Sequence, residues 1–303
     1  MAEVIGPVAG SAAVRKQRGM FFEVIIRLVL EKPLGTIGGI IVLLLFLTGI
    51  FANFLAPYGY KEVHLFSMLK PPGTPGFLLG TDGVGRDVLS RVIYGARVSM
   101  IVGIVATVIS TVESVVIGML CGFLGGKFDI VVQRFVDSWM CFPFLIIVMT
   151  IMSLVGTGMW QLIFVLGISG GIGSSRVIRA AVIGIKENIY VQSARAVGSS
   201  TVRTLMRHIL PNITAPVIIM FTVGMGGVIL AEASLSFLGY GIPPPTPSWG
   251  GMLSSEGRQY MLQGPWLALW PGLALSAVVF GINMLGDALR DILDPRLRGG
   301  VGR

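Results

Sequence analysis

Apolar residues run through this chain in long uninterrupted blocks, separated by short polar, basic or Pro/Gly-rich stretches. Several blocks reach the roughly 20 residues that a helix needs to cross a hydrocarbon layer about 30 Å thick. Backbone groups in lipid must find their partners inside their own segment, so the blocks are expected to be helices. The first covers 34–56. The stretch before it, MFFEVIIRLVLEK, carries Glu23, Arg27 and Glu31 at spacing four with apolar residues between them. That pattern predicts a helix lying in the membrane surface with ion pairs along one face.

Residues 57–95 hold too much Pro and Gly, from APYGY through KPPGTPG to LLGTDGVGRD, to be a span, and read as an external loop. A second span is expected from near Ala96 to about Gly125, with a GGKFD turn and a third span over 132–155. The fourth starts in the Gly-rich QLIFVLGISGGIG and is expected to run on through RVIRAAVIG. The fifth covers 213–238 and the sixth 266–287. The reading is therefore an all-α integral membrane protein of about six transmembrane helices. Its parts are a tail with interfacial helix (1–33), the first span, the external loop, a core over 96–291 and a tail over 292–303. The core contains a polar loop at 186–212 and a structured outer loop at 239–265, marked by its proline run and Trp249.

Composition agrees with this division. Hydrophobic residues make up 53% and charged residues 13% of the 303 positions, against about 25% charged in soluble domains. The net charge of +8 is spread between spans rather than gathered on one region, so it is no nucleic-acid footprint. Of the 23 basic residues, Lys61, Lys70, Arg86, Arg91, Arg97 and Arg258 fall on one side of the layout and the remaining seventeen on the other. Positive-inside bias then puts both termini in the cytosol. The first block is too long and begins too late for a signal peptide, and is expected to be retained.

Small residues recur at spacing four in Gly35/Gly39, Gly118/Gly122/Gly126 and Gly167/Gly171, a pattern that lets helix backbones approach closely. Cys121, Cys141, His64 and His208 fit no metal spacing, so no metal or disulfide framework is expected. GFLGGKFD has Cys121 and Phe128 where a phosphate loop needs Gly and Ser or Thr, and the glycines of GTDGVGRD lack the context of a dinucleotide site.

Three acids fall at membrane depth, where a charge costs about 2.5–3.5 kcal/mol on insertion scales. Asp137 has Arg134 three residues away and is expected to pair with it. Glu113 and Glu232 are the candidates for a translocation path, an interhelical pair being the other reading. Near the C-terminus, Asp287, Arg290, Asp291 and Asp294 are spaced for a self-paired helix end. Asp82, Arg86, Asp87 and Arg91 are similarly spaced, either ordering the outer loop or meeting a delivery protein.

One stretch stands apart. YVQSARAVGSSTVRTLMRHILPN (190–212) is polar and basic between two apolar runs. Val191, Ala194, Val197, Val202, Leu205 and Ile209 recur at helical spacing, predicting a helix, a break at Gly198, a second helix, and Pro211 before the fifth span.

This stretch resembles the cytosolic EAA loop of ABC-importer permeases, in which Glu-Ala-Ala, three residues, Gly, nine residues and Ile-x-Leu-Pro recur. Gln192, Ser193 and Ala194 stand at the first three positions, Gly198 at the glycine, and Leu210 and Pro211 at the close. Gln192 replaces the glutamate, Ser193 an alanine, and His208 the isoleucine. LLGTDGVGRDVLSRVIYGARVSM (78–100), LSFLGYGIPPPTPSWGGML (235–253) and NMLGDALRDILDPRLR (283–298) are similar to the second permease of dipeptide, oligopeptide and nickel importers. The chain is thereby identified as a member of that family.

The resemblance implies a type I importer permease in a bacterial or archaeal inner membrane. It would pair with a second homologous permease, two ATPase subunits and an extracytoplasmic substrate-binding protein. Tyr190, Val191, Gln192, Ser193, Ala194, Arg195, Ala196, Val197 and Gly198 become the element that couples to an ATPase. ATP and Mg would be used by the partners, with no cofactor, metal or nucleic acid bound by this chain. A proton-coupled carrier relaying through Glu113 and Glu232 is the alternative class. A membrane enzyme lacks any nucleophile elbow, paired histidines or zinc motif.

Overall fold

The computed structural model describes residues 20–293. The tail bearing Arg15, Lys16 and Arg18, the side chain of Glu23, and terminal residues such as Asp294, Arg296 and Arg298 lie outside what it describes. Helix α1 (Met20–Glu31) leads through Lys32 into α2 (Pro33–Ile50). Pro33 sits in the first turn, where its missing N–H leaves no intrahelical bond unmade. Thr36 Oγ1 fastens the joint by donating to the carbonyls of Leu28 (2.9 Å) and Lys32 (3.2 Å). On α1, Ile25, Val29 and Leu30 are exposed.

After the short α3 (Ala52–Leu55) and a loop, α4 runs from Val88 to Leu124. It starts well before Ala96 because Asp87 caps it, accepting from the backbone N–H of Ser90 at 2.7 Å. At 37 residues it is about 55 Å long, so its ends project beyond the hydrocarbon. The block expected to be one span over 132–155 is broken. α5 (Gly126–Met140) and α6 (Phe144–Val155) meet at 87°, because Pro143 cannot continue the helical ladder. α7 (Met159–Lys186) is continuous through RVIRAAVIG.

The polar stretch folds as α8 (Ile189–Ala196) and α9 (Thr201–Thr204), a π-helical turn (Leu205–Ile209) and a 3₁₀ turn (Leu210–Asn212). α10 (Thr214–Phe237), α11 (Trp249–Met252), a second π-helical turn (Leu253–Gly257) and α12 (Trp266–Leu293) complete the chain. Five helices, α2, α4, α7, α10 and α12, are long and apolar enough to cross a membrane, and six spans result if the bent α5–α6 pair is one. The described residues contain no strand, only isolated bridges at Thr74–Phe77 and Thr81–Asp87.

α4 and α7 run parallel with their backbones nearly touching. A Cβ on Gly118 would stand 2.6 Å from the Ser175 carbonyl oxygen, and one on Gly122 2.9 Å from that of Arg179. Gly167 and Gly171 face Ile109 and Glu113 in the same seam. Against α12, Gly35 and Gly38 are the close-approach positions, not Gly39, and Gly126 belongs to the α4–α5 turn. Facing pairs such as Gly103 with Ile229 and Gly226 with Ile282 set α10 antiparallel to both α4 and α12. One end of the bundle therefore gathers α8, α9 and the ends of α4, α7 and α12. The other gathers the 56–87 loop, α11 and the starts of α4, α7 and α12.

Ion pairs tie elements at the α8 end. Arg179 donates to Asp129 Oδ1 at 2.6 Å, and Arg176 to Asp137. Asp137 also meets Arg134, its expected local partner, at 3.4 Å. Among the described residues the ion pair of Asp291 reaches away from its own helix: it accepts from Lys32 Nζ of the α1–α2 joint at 2.6 Å.

Candidate functional site

The α8 end carries a rigid base and an uncovered top. Val191, Leu205, Ile209 and Ile213 are buried with Met119 and Phe123 of α4 and Ile178 and Val182 of α7. Val197 and Val202, which helical spacing groups with Val191 and Leu205, are instead 89% and 70% exposed. Both flank Gly198. Its φ of +87° turns the chain between α8 and α9, so Val197 and Val202 on either side of the turn project away from the bundle while Val191 and Leu205, further from it, pack inward. Ile189, at 82% exposure, Tyr190 and Met206 are also uncovered. Spacing alone does not mark these; Tyr190 enters only through the resemblance of 190–198 to the coupling loop, and nothing local in the sequence marks Ile189 or Met206.

Polar residues in the stretch mainly serve its own shape. Gln192 Nε2 donates to the Glu187 carbonyl at 3.0 Å, and Ser200 Oγ caps α9 by accepting from Arg203 N–H at 3.4 Å. Thr204 Oγ1 donates to Ser199 Oγ at 3.1 Å. Ser193, Ala196 and Arg195 stay exposed, and Ala194 is half-buried. The Arg195 guanidinium lies over the Phe123 ring, 5.3 Å from its centroid, joining α8 to the last turn of α4.

A cleft of about 390 Å³ opens between α4, α6, α7 and α10. Its walls are apolar with hydroxyls from Thr107, Ser110, Thr111, Ser174 and Ser234, and no charged side chain among the described residues lines it. Glu113 lies beside it in the α4–α7 seam, packed over Gly171 with Oε2 buried and, among the described residues, without a hydrogen-bond partner. Glu232 is fully buried on α10, its Oε1 accepting from Ser236 Oγ at 2.8 Å. The structure does not bring the two acids together in that cleft.

At the opposite end, the spaced charges order the loop. Asp82, 1% exposed, accepts from the N–H groups of Val84 (3.0 Å) and Arg86 (2.8 Å) and from Arg86 Nε (2.6 Å). Arg86 also reaches Glu256 of the second π-helical turn, 170 residues away. Burial, followed by the charge of Asp82, pushes the Glu256 carboxyl above its ordinary range. The described residues hold no cluster of metal-ligating side chains.

Bundled apolar helices, an uncovered amphipathic elbow at one end and a hydroxyl-lined cleft within define a multi-pass membrane protein. Residues 114–299 match the model for "Binding-protein-dependent transport system inner membrane component", and 21–72 match "N-terminal TM domain of oligopeptide transport permease C". The chain belongs to this family of ABC-importer permeases. It is 36% identical over 268 residues to a dipeptide transport system permease of Alkalihalophilus pseudofirmus, covering 88% of each chain. It is 34% identical to the oligopeptide transport system permease of Bacillus subtilis, covering 88% of this chain and 87% of that one. A glutathione transport system permease of Escherichia coli is 35% identical over 85% of both.

Proposed function

We propose that the chain is the membrane subunit of an ATP-driven importer for short peptides or a related small solute, moved through the α4–α7–α10 cleft with a second permease closing its open side. Relatives named for dipeptide, oligopeptide and glutathione transport support the solute class. Partner ATPases supply hydrolysis with ATP and Mg, and an extracytoplasmic binding protein delivers solute at the end bearing the 56–87 loop. The α8 end faces the cytosol of a bacterial or archaeal cell, in keeping with its basic residues.

The carrying observation is the two-sided build of Tyr190–Gly198. Val191 is locked into the ends of α4 and α7 while Ile189, Tyr190 and Val197 stay uncovered. A push on that exposed face is delivered to the two helices whose backbones touch along the seam, which is the requirement for rocking between two arrangements. Glu113 is assigned to the polar margin of the cleft, one turn from Ser110, and Glu232 to the outer end beneath Ser236. A proton-coupled carrier would need the two acids on one route. The test is solute uptake into vesicles. Full complex with ATP is expected to accumulate solute, and the lone subunit under a proton gradient to accumulate none; uphill transport by the lone subunit would overturn the reading.

A further inference from the structure

Arg91 stands in the second turn of α4 and is 5% exposed. A buried guanidinium needs its donors satisfied, since an unpaired charge in a low-dielectric site is among the costliest defects. Asp82 is its nearest acid, but both Asp82 oxygens are already engaged by Val84 and Arg86. Arg91 Nε lies 3.6 Å from Asp82 Oδ2, longer than a hydrogen bond. Among the described residues Arg91 Nη1 has no hydrogen-bond partner.

The same residue lines a cavity of about 210 Å³ at the loop end. Among the described residues Arg91 is the only charged side chain on its walls, which otherwise mix serine and threonine hydroxyls and glycine backbone with apolar surface from Ile242, Pro243, Pro244 and Met252. Of the neighbouring acids, Glu256 is engaged by Arg86, and Glu232 accepts from Ser236 through Oε1 while its Oε2 is buried without a hydrogen-bond partner among the described residues. The volume falls below the 300–1,000 Å³ of a whole drug-sized ligand and suits one residue at a chain end. Planar guanidinium N–H groups match a carboxylate in geometry and charge.

We infer that this cavity is a carboxylate subsite, in which Arg91 takes the free C-terminal carboxylate of a peptide-like solute as it arrives at the loop end. The inference rests on the importer reading for the identity of the solute, but the subsite is a property of this chain. An amidated chain end carries no charge for Arg91 and offers one oxygen in place of two.

The test uses the purified permease complex, prepared without its binding protein and without nucleotide, and two probes: N-acetylalanylalanine and its C-terminal amide. Equilibrium binding is expected to favour the acid at least tenfold. Arg91→Gln should erase that preference. Ser255→Trp, at an exposed position on the cavity wall, should weaken acid binding at least fivefold with Arg91 intact, and decides the matter if Arg91→Gln fails to assemble. Equal binding of acid and amide, or unaltered acid binding in Ser255→Trp, would overturn the subsite. So would an Arg91→Gln complex whose only defect is a weaker grip on the binding protein, which would make the carboxylate a protein side chain. Absence of ATP-driven uptake with the tenfold preference intact would instead fail the importer reading alone.

Discussion

The Arg195 guanidinium of α8 lies 5.3 Å from the centroid of the Phe123 ring at the end of α4, so the exposed elbow and the longest helix are joined by a direct contact. Such contacts contribute about 0.5–1 kcal/mol at exposed sites. Arg195→Gln and Phe123→Leu should each lower uptake a few-fold while leaving the ATPases bound. A double-mutant cycle on uptake should show that the double variant is little worse than either single one. Fully additive losses would mean that the two residues act separately.

Gly198 holds φ at +87° with open space where a Cβ would go. Replacement is therefore a backbone problem and not a steric one; an ordinary residue there costs roughly 1–2 kcal/mol. Gly198→Val should reduce uptake and ATPase co-purification strongly. Gly198→Asn should do so mildly, because asparagine tolerates the left-handed region. Equal losses in the two variants would show that something other than φ matters.

The α4–α7 seam should tolerate no added methyl where a backbone carbonyl faces the glycine most closely. Gly118→Ala sets a Cβ 2.6 Å from a backbone oxygen that cannot swing aside, and overpacking of this kind costs about 1–3 kcal/mol. Gly184→Ala, on the same α7 but with nothing within 4 Å, is the control and should change little. Thermal unfolding in detergent separates the two.

Glu256 gives the outer loop a pH dependence. Burial raises its folded pKa above the unfolded value, so between those values the folded state holds more protons. Stability from this group is complete below the ordinary glutamate range and declines as pH rises through the raised value. Hydrogen exchange of residues 78–87 should accelerate over that window beyond its intrinsic rise. Glu256→Gln should remove the excess; an unchanged profile in the variant would assign it to another group.

The long apolar blocks made α2, α4, α7, α10 and α12 legible, because lipid leaves a helix as the only solution for such a run. Harder were features decided by one residue or by a distant one. The cap of Asp87 moved the start of α4, and Pro143 split a block that hydropathy reads as continuous. At the elbow, periodicity found Val191, Leu205 and Ile209 but put Val197 and Val202 with them, since a stripe is only a stripe while the helix axis is straight. Spacing paired Asp82 with Arg86, yet nothing local points from Arg86 to Glu256 or from Lys32 to Asp291. Gly38 in place of Gly39 depends on how α2 rotates against α12, which one helix's sequence does not specify.

The coupling role of Tyr190–Gly198 is tested most directly at Val197. In a chain carrying Val197→Cys with Cys121 and Cys141 replaced, a membrane-impermeant maleimide is applied to vesicles from each side, with and without the ATPase subunits. Labelling is expected only from the side where nucleotide acts, and to fall at least tenfold once the ATPases are bound. Labelling from the opposite side, or labelling indifferent to the ATPases, would contradict it.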